Sequence, residues 1–213
     1  MDISSGVDRF FFRDLHPGLR LGTASDRYAG WIGQVYTEGR WSPTSRTRRL
    51  GGRSYRERVL PVESVEEYFR HFEILEVDFT FYAPLLDDAL NPTRTFRVLR
   101  SYREHLEPDA RLFLKAPQAV SARKLRRGGG FVENPDYLNA ELFVRRFYEP
   151  ARSLLGEHLA GILFEQEYQR KQERGAPEAF AAGLDRFFGA CPEDPDYHVE
   201  VRTDAYLTPP LFE

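Results

Sequence analysis

Two stretches of this 213-residue chain alternate charged with apolar side chains. In Ile74 to Tyr82, the residues Leu75, Val77, Phe79 and Phe81 fall on one face of an extended strand. Ile74, Glu76, Asp78, Thr80 and Tyr82 fall on the other. In Tyr197 to Thr203, Tyr197, Val199 and Val201 alternate with His198, Glu200 and Arg202. Read this way, Glu76 and Asp78 point the same way about 7 Å apart, two strand rises. Carboxylates that close in a low-dielectric setting push each other's proton affinities apart unless Lys115 or Arg202 neutralises them. The pair would then serve as acid and base, or as oxygen ligands for a hard divalent ion. The competing reading is a satisfied ion network of Glu76, Lys115, Glu200 and Arg202.

Other chemistries find less support. There is no His-Glu-x-x-His pattern and no cysteine pair, so no zinc set is assigned. His198 reads as a packed strand histidine. Cys191, the single cysteine, sits before Pro192 with no evident base and reads as inert. No nucleophile elbow, P-loop or dinucleotide fingerprint occurs, and Gly128-Gly129-Gly130 opens no strand-to-helix turn. No cofactor is identified.

The elements that must position these residues follow from periodicity. Strands are predicted over Leu19–Thr23, Ile74–Tyr82, Arg111–Lys115, Gly161–Gln166 and Tyr197–Thr203. Helices are predicted over Glu63–Phe72, after Asn91-Pro92, after Asn134-Pro135, and from Pro177, with Pro150 kinking or ending the third. Every connection reads as too long for a hairpin, which predicts parallel βαβ units with right-handed crossovers. Parallel strands with both faces covered should be apolar throughout, so a polar face calls for a barrel interior. The predicted class is α/β, a parallel (β/α) TIM-type barrel lacking its last βα units. An open doubly wound sheet is the alternative.

One domain over residues 1–213 accommodates this, though a whole eight-stranded barrel needs about 250 residues. Hydrophobic residues at 41% and charged residues at 30% exclude a disordered chain, and no apolar run is long enough for a membrane span. The amino terminus lacks the basic start and apolar stretch of a secretory leader, and with one cysteine this predicts a cytoplasmic protein. Net charge is only −3, yet seven arginines (40, 46, 48, 49, 53, 56, 58) face one acid, Glu57, in a basic insertion at about 40–60 that reads as low in structure. A second basic run holds Arg123, Lys124, Arg126 and Arg127. Both runs follow strands and so belong to the rim where barrel enzymes keep their sites. There they would attract phosphate, with Tyr28, Trp31, Tyr36 and Trp41 available to stack on bases or sugars. A merely solvated loop is the plainer reading.

Several strand ends carry short motifs. The first is Leu21-Gly22-Thr23-Ala24-Ser25 with Tyr28, Gly30-Trp31 and Val35-Tyr36. Leu75-Glu76-Val77-Asp78-Phe79-Thr80-Phe81-Tyr82, Leu114-Lys115-Ala116-Pro117, Leu163-Phe164-Glu165-Gln166-Glu167, and Val199-Glu200-Val201-Arg202 with Tyr206 follow. In type and order these five resemble the motifs of the YecE-like family, domain of unknown function 72. Ala24 and Asp26 break the first motif. Glu165 stands for a glutamine, Tyr206 for a tryptophan, and the proline of the fourth motif is missing. The resemblance implies a TIM-type barrel with further βα units beyond this chain, and it supplies no activity.

The resulting expectation is a barrel enzyme, a hydrolase among the candidates, acting on a polar anionic substrate such as a phosphoester or nucleic acid. Glu76, Asp78, Lys115, Glu200 and Arg202 would carry the chemistry, and Thr23, Tyr28, Trp31, Tyr82 and Glu165 would contact substrate. The alternatives are a non-catalytic nucleic-acid-binding module and a decayed fragment. An incomplete barrel would expose strand edges and self-associate.

Overall fold

The computed structural model describes residues 10–50, 52–194 and 196–212. The leader reading of the amino terminus falls on residues 1–9, outside that range. The strands are β1 (Gly22–Ala24), β2 (Thr44–Leu50), β3 (Arg53–Val59), β4 (Ile74–Val77), β5 (Arg111–Lys115), β6 (Lys124–Arg127), β7 (Gly130–Glu133), β8 (Leu159–Glu165) and β9 (Tyr197–Glu200). The helices are α1 (Val65–His71), α2 (Arg94–Arg103), α3 (Gln118–Ser121), α4 (Ala140–Phe143), α5 (Glu149–Leu155) and α6 (Pro177–Gly189). Five strands form one sheet in the order β1-β4-β5-β8-β9, giving an α/β fold. No described helix is long and apolar enough to cross a membrane. The chain divides into two compact units, residues 10–76 with 98–112 and residues 77–97 with 113–212.

In the first unit, β1 runs parallel to β4, with Gly22 opposite Ile74. A Cβ at Gly22 would sit 1.8 Å from the Ile74 carbonyl oxygen, so only glycine admits this approach. The strand begins three residues later than predicted, because His16 organises a turn: its carbonyl takes Leu19 N–H and its Nδ1 takes Gly18 N–H. The basic insertion is not low in structure. It is an antiparallel hairpin of β2 and β3, with Arg46 opposite Glu57 in both register and ion pair. The side chains of Arg48 and Arg49 lie outside the described part. Helix α1 buries Val65, Tyr68 and Phe69, and Tyr68 stacks on Phe72 at 4.8 Å.

In the second unit, β8 runs parallel to β9, Glu165 opposite Glu200, and Ala116 N–H donates to the Leu163 carbonyl. Leu114, Ile162 and Phe164 are buried. Phe164 meets Phe143 at 5.0 Å and Phe187 of α6 at 5.4 Å. Each such ring contributes about 2–3 kcal/mol by leaving water. Lys124 to Glu133 forms a second hairpin, β6 with β7, turned at Gly128 and Gly129, both of positive φ. The expectation that every connection lacks a hairpin therefore fails twice. In the first, arginine-rich segments pair locally with no apolar period, and in the second the paired strands are only four residues each, too short to show one.

Proline marks the helices, though not always as their opening. α6 begins at Pro177 as predicted. α2 begins at Arg94, and Thr93 Oγ1 accepts the Phe96 N–H, while Asn91 is held in a turn by Asp87. Asn139, not Asn134, caps α4; Asn134 is buried and ties the Ala119 and Ala122 carbonyls. Pro150 does not end its helix. A π-helical turn, Val144–Tyr148, precedes it, and the missing N–H of Pro150 frees the Arg146 carbonyl, which accepts Leu85 N–H and Leu86 N–H at 3.0 Å.

Candidate functional site

The carboxyl ends of β5, β8 and β9 carry Lys115, Glu165 and Glu200, with Glu165 opposite Glu200 and Lys115 Nζ 2.9 Å from Glu165. His198 of β9 is exposed and rests its ring 4.8 Å from Phe113. Gly161 makes room there, because a Cβ would meet the Phe113 ring at 2.6 Å.

Two strands end earlier than predicted, and each ending has a side-chain cause. β4 stops at Val77, and Asp78–Tyr82 forms a 3-10 turn. Thr80 is buried rather than polar-facing, its Oγ1 2.9 Å from the Val77 carbonyl and 2.8 Å from that of Lys115. Short polar side chains that bond the local backbone compete with a strand ladder. Glu76 and Asp78 are therefore not successive residues on one strand face. β9 stops at Glu200, because buried Gln166 accepts the N–H groups of Arg202 and Thr203 at 3.0 and 2.9 Å.

The altered backbone still assembles the charges. Lys115 Nζ lies 2.8 Å from Asp78 Oδ1 and 2.9 Å from Glu165 Oε2. Arg202 Nη1 lies 2.6 Å from Glu165 Oε1, and its Nε is 2.7 Å from Glu200 Oε1. The order is Asp78, Lys115, Glu165, Arg202, Glu200, three acids and two cations. The side chain of Glu165 is 14% exposed and that of Lys115 is 13%, whereas Asp78 and Arg202 each reach 42% and Glu200 reaches 39%. Lys115 and Glu165 are shielded, and the Arg202–Glu200 end is open to solvent. Among the described residues no group of three or more histidines, cysteines and acids could hold a metal ion.

The remaining predicted residues make contacts within their own units. In the first unit, Glu76 pairs with Ala24 in register, and its carbonyl accepts Ser25 N–H. Thr23 is engaged by Tyr68, whose hydroxyl accepts its N–H, and its own hydroxyl donates to the Ser25 carbonyl. Tyr28 and Trp31 pack edge to face at 5.0 Å, and Tyr28 is exposed. In the second unit, Tyr82 is 65% exposed and its ring touches Phe81. Lys124 pairs with Glu173, so the second basic run is partly neutralised. Burial pushes the Cys191 thiol up to about 11, which keeps it protonated.

Sequence reading missed two buried acids in the first unit. Asp26, treated only as a motif departure, is buried and accepts the Tyr102 hydroxyl at 2.9 Å, while Oδ2 has no partner. Burial raises its pKa to about 6, against the opposing effects of Tyr102 and Arg27. Glu67, buried on α1, accepts from Thr37, Arg40 and Trp41. The only hint was an aspartate in an otherwise apolar and small-residue motif.

A family model described as protein of unknown function DUF72 matches residues 20–213. Among solved structures, the crystal structure of a DUF72 family protein from Thermotoga maritima is similar, with a TM-score of 0.51 at 16% identity. The alignment covers 91% of this chain and 59% of that one, so the chain spans less than two thirds of that relative's length. Among curated proteins none matches.

Proposed function

The chain belongs to the DUF72 family of proteins of unknown function, and from that premise we propose a (β/α) barrel enzyme with its site at the strand carboxyl ends, acting on a polar anionic substrate, a phosphoester or nucleic acid. The barrel reading is supported by strand order. The five parallel strands follow one another in the sheet as they do in the chain, β1-β4-β5-β8-β9. A singly wound barrel requires this, whereas a doubly wound sheet reverses at its switch point.

The observation that carries the catalytic reading is the bridging of Glu165 by Lys115 and Arg202. Both cations are held by a common carboxylate. Arg202 and Glu200 form the exposed pair, and such pairs contribute only about 0–1 kcal/mol. A phosphoryl group replaces Glu200 at little cost, taking the charge of Lys115 and Arg202. The displaced carboxylate is then free to accept a proton from the attacking water or to return one to the leaving group. Tyr82, exposed in the same unit, is available to contact substrate.

The test is titration with p-nitrophenyl phosphate and with a short single-stranded oligonucleotide, following heat of binding and nitrophenolate release. Lys115→Met should abolish binding, and Asp78→Asn or Glu200→Gln should retain binding while cutting turnover by roughly 10²-fold or more. Unchanged binding in Lys115→Met, with no turnover in the parent, would reduce the charge chain to a structural network.

A second reading, a non-catalytic nucleic-acid-binding module, draws on the β6–β7 hairpin. There Phe131, 70% exposed, stands directly opposite the exposed Arg126. A ring for a base beside a cation for a phosphate is the pairing single-stranded binders use. This reading is favoured if Phe131→Ala weakens oligonucleotide binding and Glu165→Gln does not.

A further inference from the structure

The second unit also holds a concavity that none of the charge-chain residues lines. It encloses about 550 Å³ between α6 and the segment before α4. That is within the roughly 300–1,000 Å³ of small-molecule sites. Its floor is α6, which presents Ala176, Ala179 and Gly183 at helical spacing and so brings the backbone close. One wall is aromatic: Phe180 stacks on Tyr206 at 4.5 Å and 19°. The Tyr206 hydroxyl is already engaged, donating to Gln169 and accepting from Gly175, so Tyr206 offers the cavity its ring.

The polar groups that line this space are all donors. Arg123, Tyr137 and Arg186 border it, and no acidic side chain does. Among the described residues neither arginine has a carboxylate partner and the Tyr137 hydroxyl has no hydrogen bond. Burial pushes the Tyr137 pKa up to about 12, so it remains a donor across the physiological range. Arg123 reaches the mouth of the groove near Gly175, where a Cβ would stand 3.9 Å from its Nη1. Arg186 lies ten residues beyond Ala176 on α6, about 15 Å along the axis. A ligand must therefore bring acceptors or negative charge to the donors and an apolar body to the floor.

We propose that this cavity binds a small amphipathic anion, its acidic head between Arg123 and Tyr137 and its apolar body along Ala179, Gly183 and the Phe180–Tyr206 stack. The site is independent of the charge chain, so Lys115→Met should leave it intact.

The probe is 8-anilinonaphthalene-1-sulfonate, titrated against the full chain by fluorescence, with neutral N-phenyl-1-naphthylamine for comparison. One saturable site should appear. Arg123→Gln should weaken it about tenfold, as expected for one charge-assisted contact, with Arg123→Lys recovering part of the loss. Ala179→Trp, which fills the cavity, should abolish it, and the neutral probe should bind at least about tenfold more weakly. Thermal melting of each variant establishes that it is folded. The proposal is overturned if folded Arg123→Gln binds the sulfonate as the parent does, or if the two probes bind alike. Should Ala179→Trp fail to fold, Arg123→Gln and the neutral probe decide alone.

Discussion

Arg202 reaches Glu165 at 2.6 Å from a position beyond the end of its strand, and what places it there is Gln166. The Gln166 side-chain oxygen accepts the N–H groups of both Arg202 and Thr203, so a single buried amide turns the chain away from the ladder and toward Glu165. Gln166→Ala leaves two backbone donors without an acceptor, at a cost of about 2 kcal/mol. Urea unfolding should register that loss, and hydrogen exchange should quicken at the amides of residues 202 and 203. Unaltered exchange there would mean that the loop is held by something other than this amide.

Asp26 gives the first unit a pH dependence with a definite sign. Its folded pKa, about 6, lies above the ordinary value of 3.8, because burial penalises the carboxylate more than Tyr102 and Arg27 help it. The folded state thus holds the proton more tightly than the unfolded chain. The associated stability is fully present below the unfolded pKa and is lost as pH rises through 6, a difference of about 3 kcal/mol. Other groups titrate as well, so the measurement is the difference between parent and Asp26→Asn across pH 4 to 8. The parent should lose stability relative to the variant between those limits. A flat difference would mean that Asp26 ionises in the fold without penalty. The facing tyrosines, Tyr36, Tyr68 and Tyr102, are held by burial well above the ordinary tyrosine range and stay neutral throughout.

What the sequence made legible was periodicity, and what it hid was local side-chain bonding. Arg111–Lys115 and the start of α6 were placed correctly, because apolar alternation and a proline each have one structural meaning there. Lys115, Glu165 and Glu200 were named only as candidates at strand carboxyl ends, and the structure brings them together through Glu165. The alternation was equally clean through Tyr82, yet β4 ends at Val77, because Thr80 finds the Val77 and Lys115 carbonyls. Two hairpins went unread because the strands of the first carry arginine and serine instead of an apolar face, those of the second are only four residues each, and cross-strand pairs such as Arg46 with Glu57 leave no one-dimensional signature. The candidate site was therefore found by residue type, while its connectivity depended on the glutamine and threonine that period-based reading passes over.

Glu67 concentrates the remaining hidden chemistry. Its carboxylate accepts Thr37 N–H at 3.0 Å and Trp41 Nε1–H at 2.6 Å on one oxygen, and Thr37 Oγ1–H at 2.7 Å and Arg40 Nη1–H at 2.9 Å on the other. Burial alone would raise its pKa, but the Thr37 and Trp41 hydrogen bonds with the Arg40 charge outweigh it and hold the group below the usual glutamate range. Stability from such a group is present above the unfolded pKa and is lost as pH falls through the folded one. Glu67→Gln keeps one acceptor oxygen and turns an amide NH2 toward donors, so at pH 7 it should cost about 2–4 kcal/mol. The cost should shrink in acid, where the parent too gives up its charge. Unfolding followed by tryptophan fluorescence at pH 7 and again below the ordinary glutamate range tests both halves. An equal loss at the two pH values would show that shape rather than charge holds the Trp41 loop against α1.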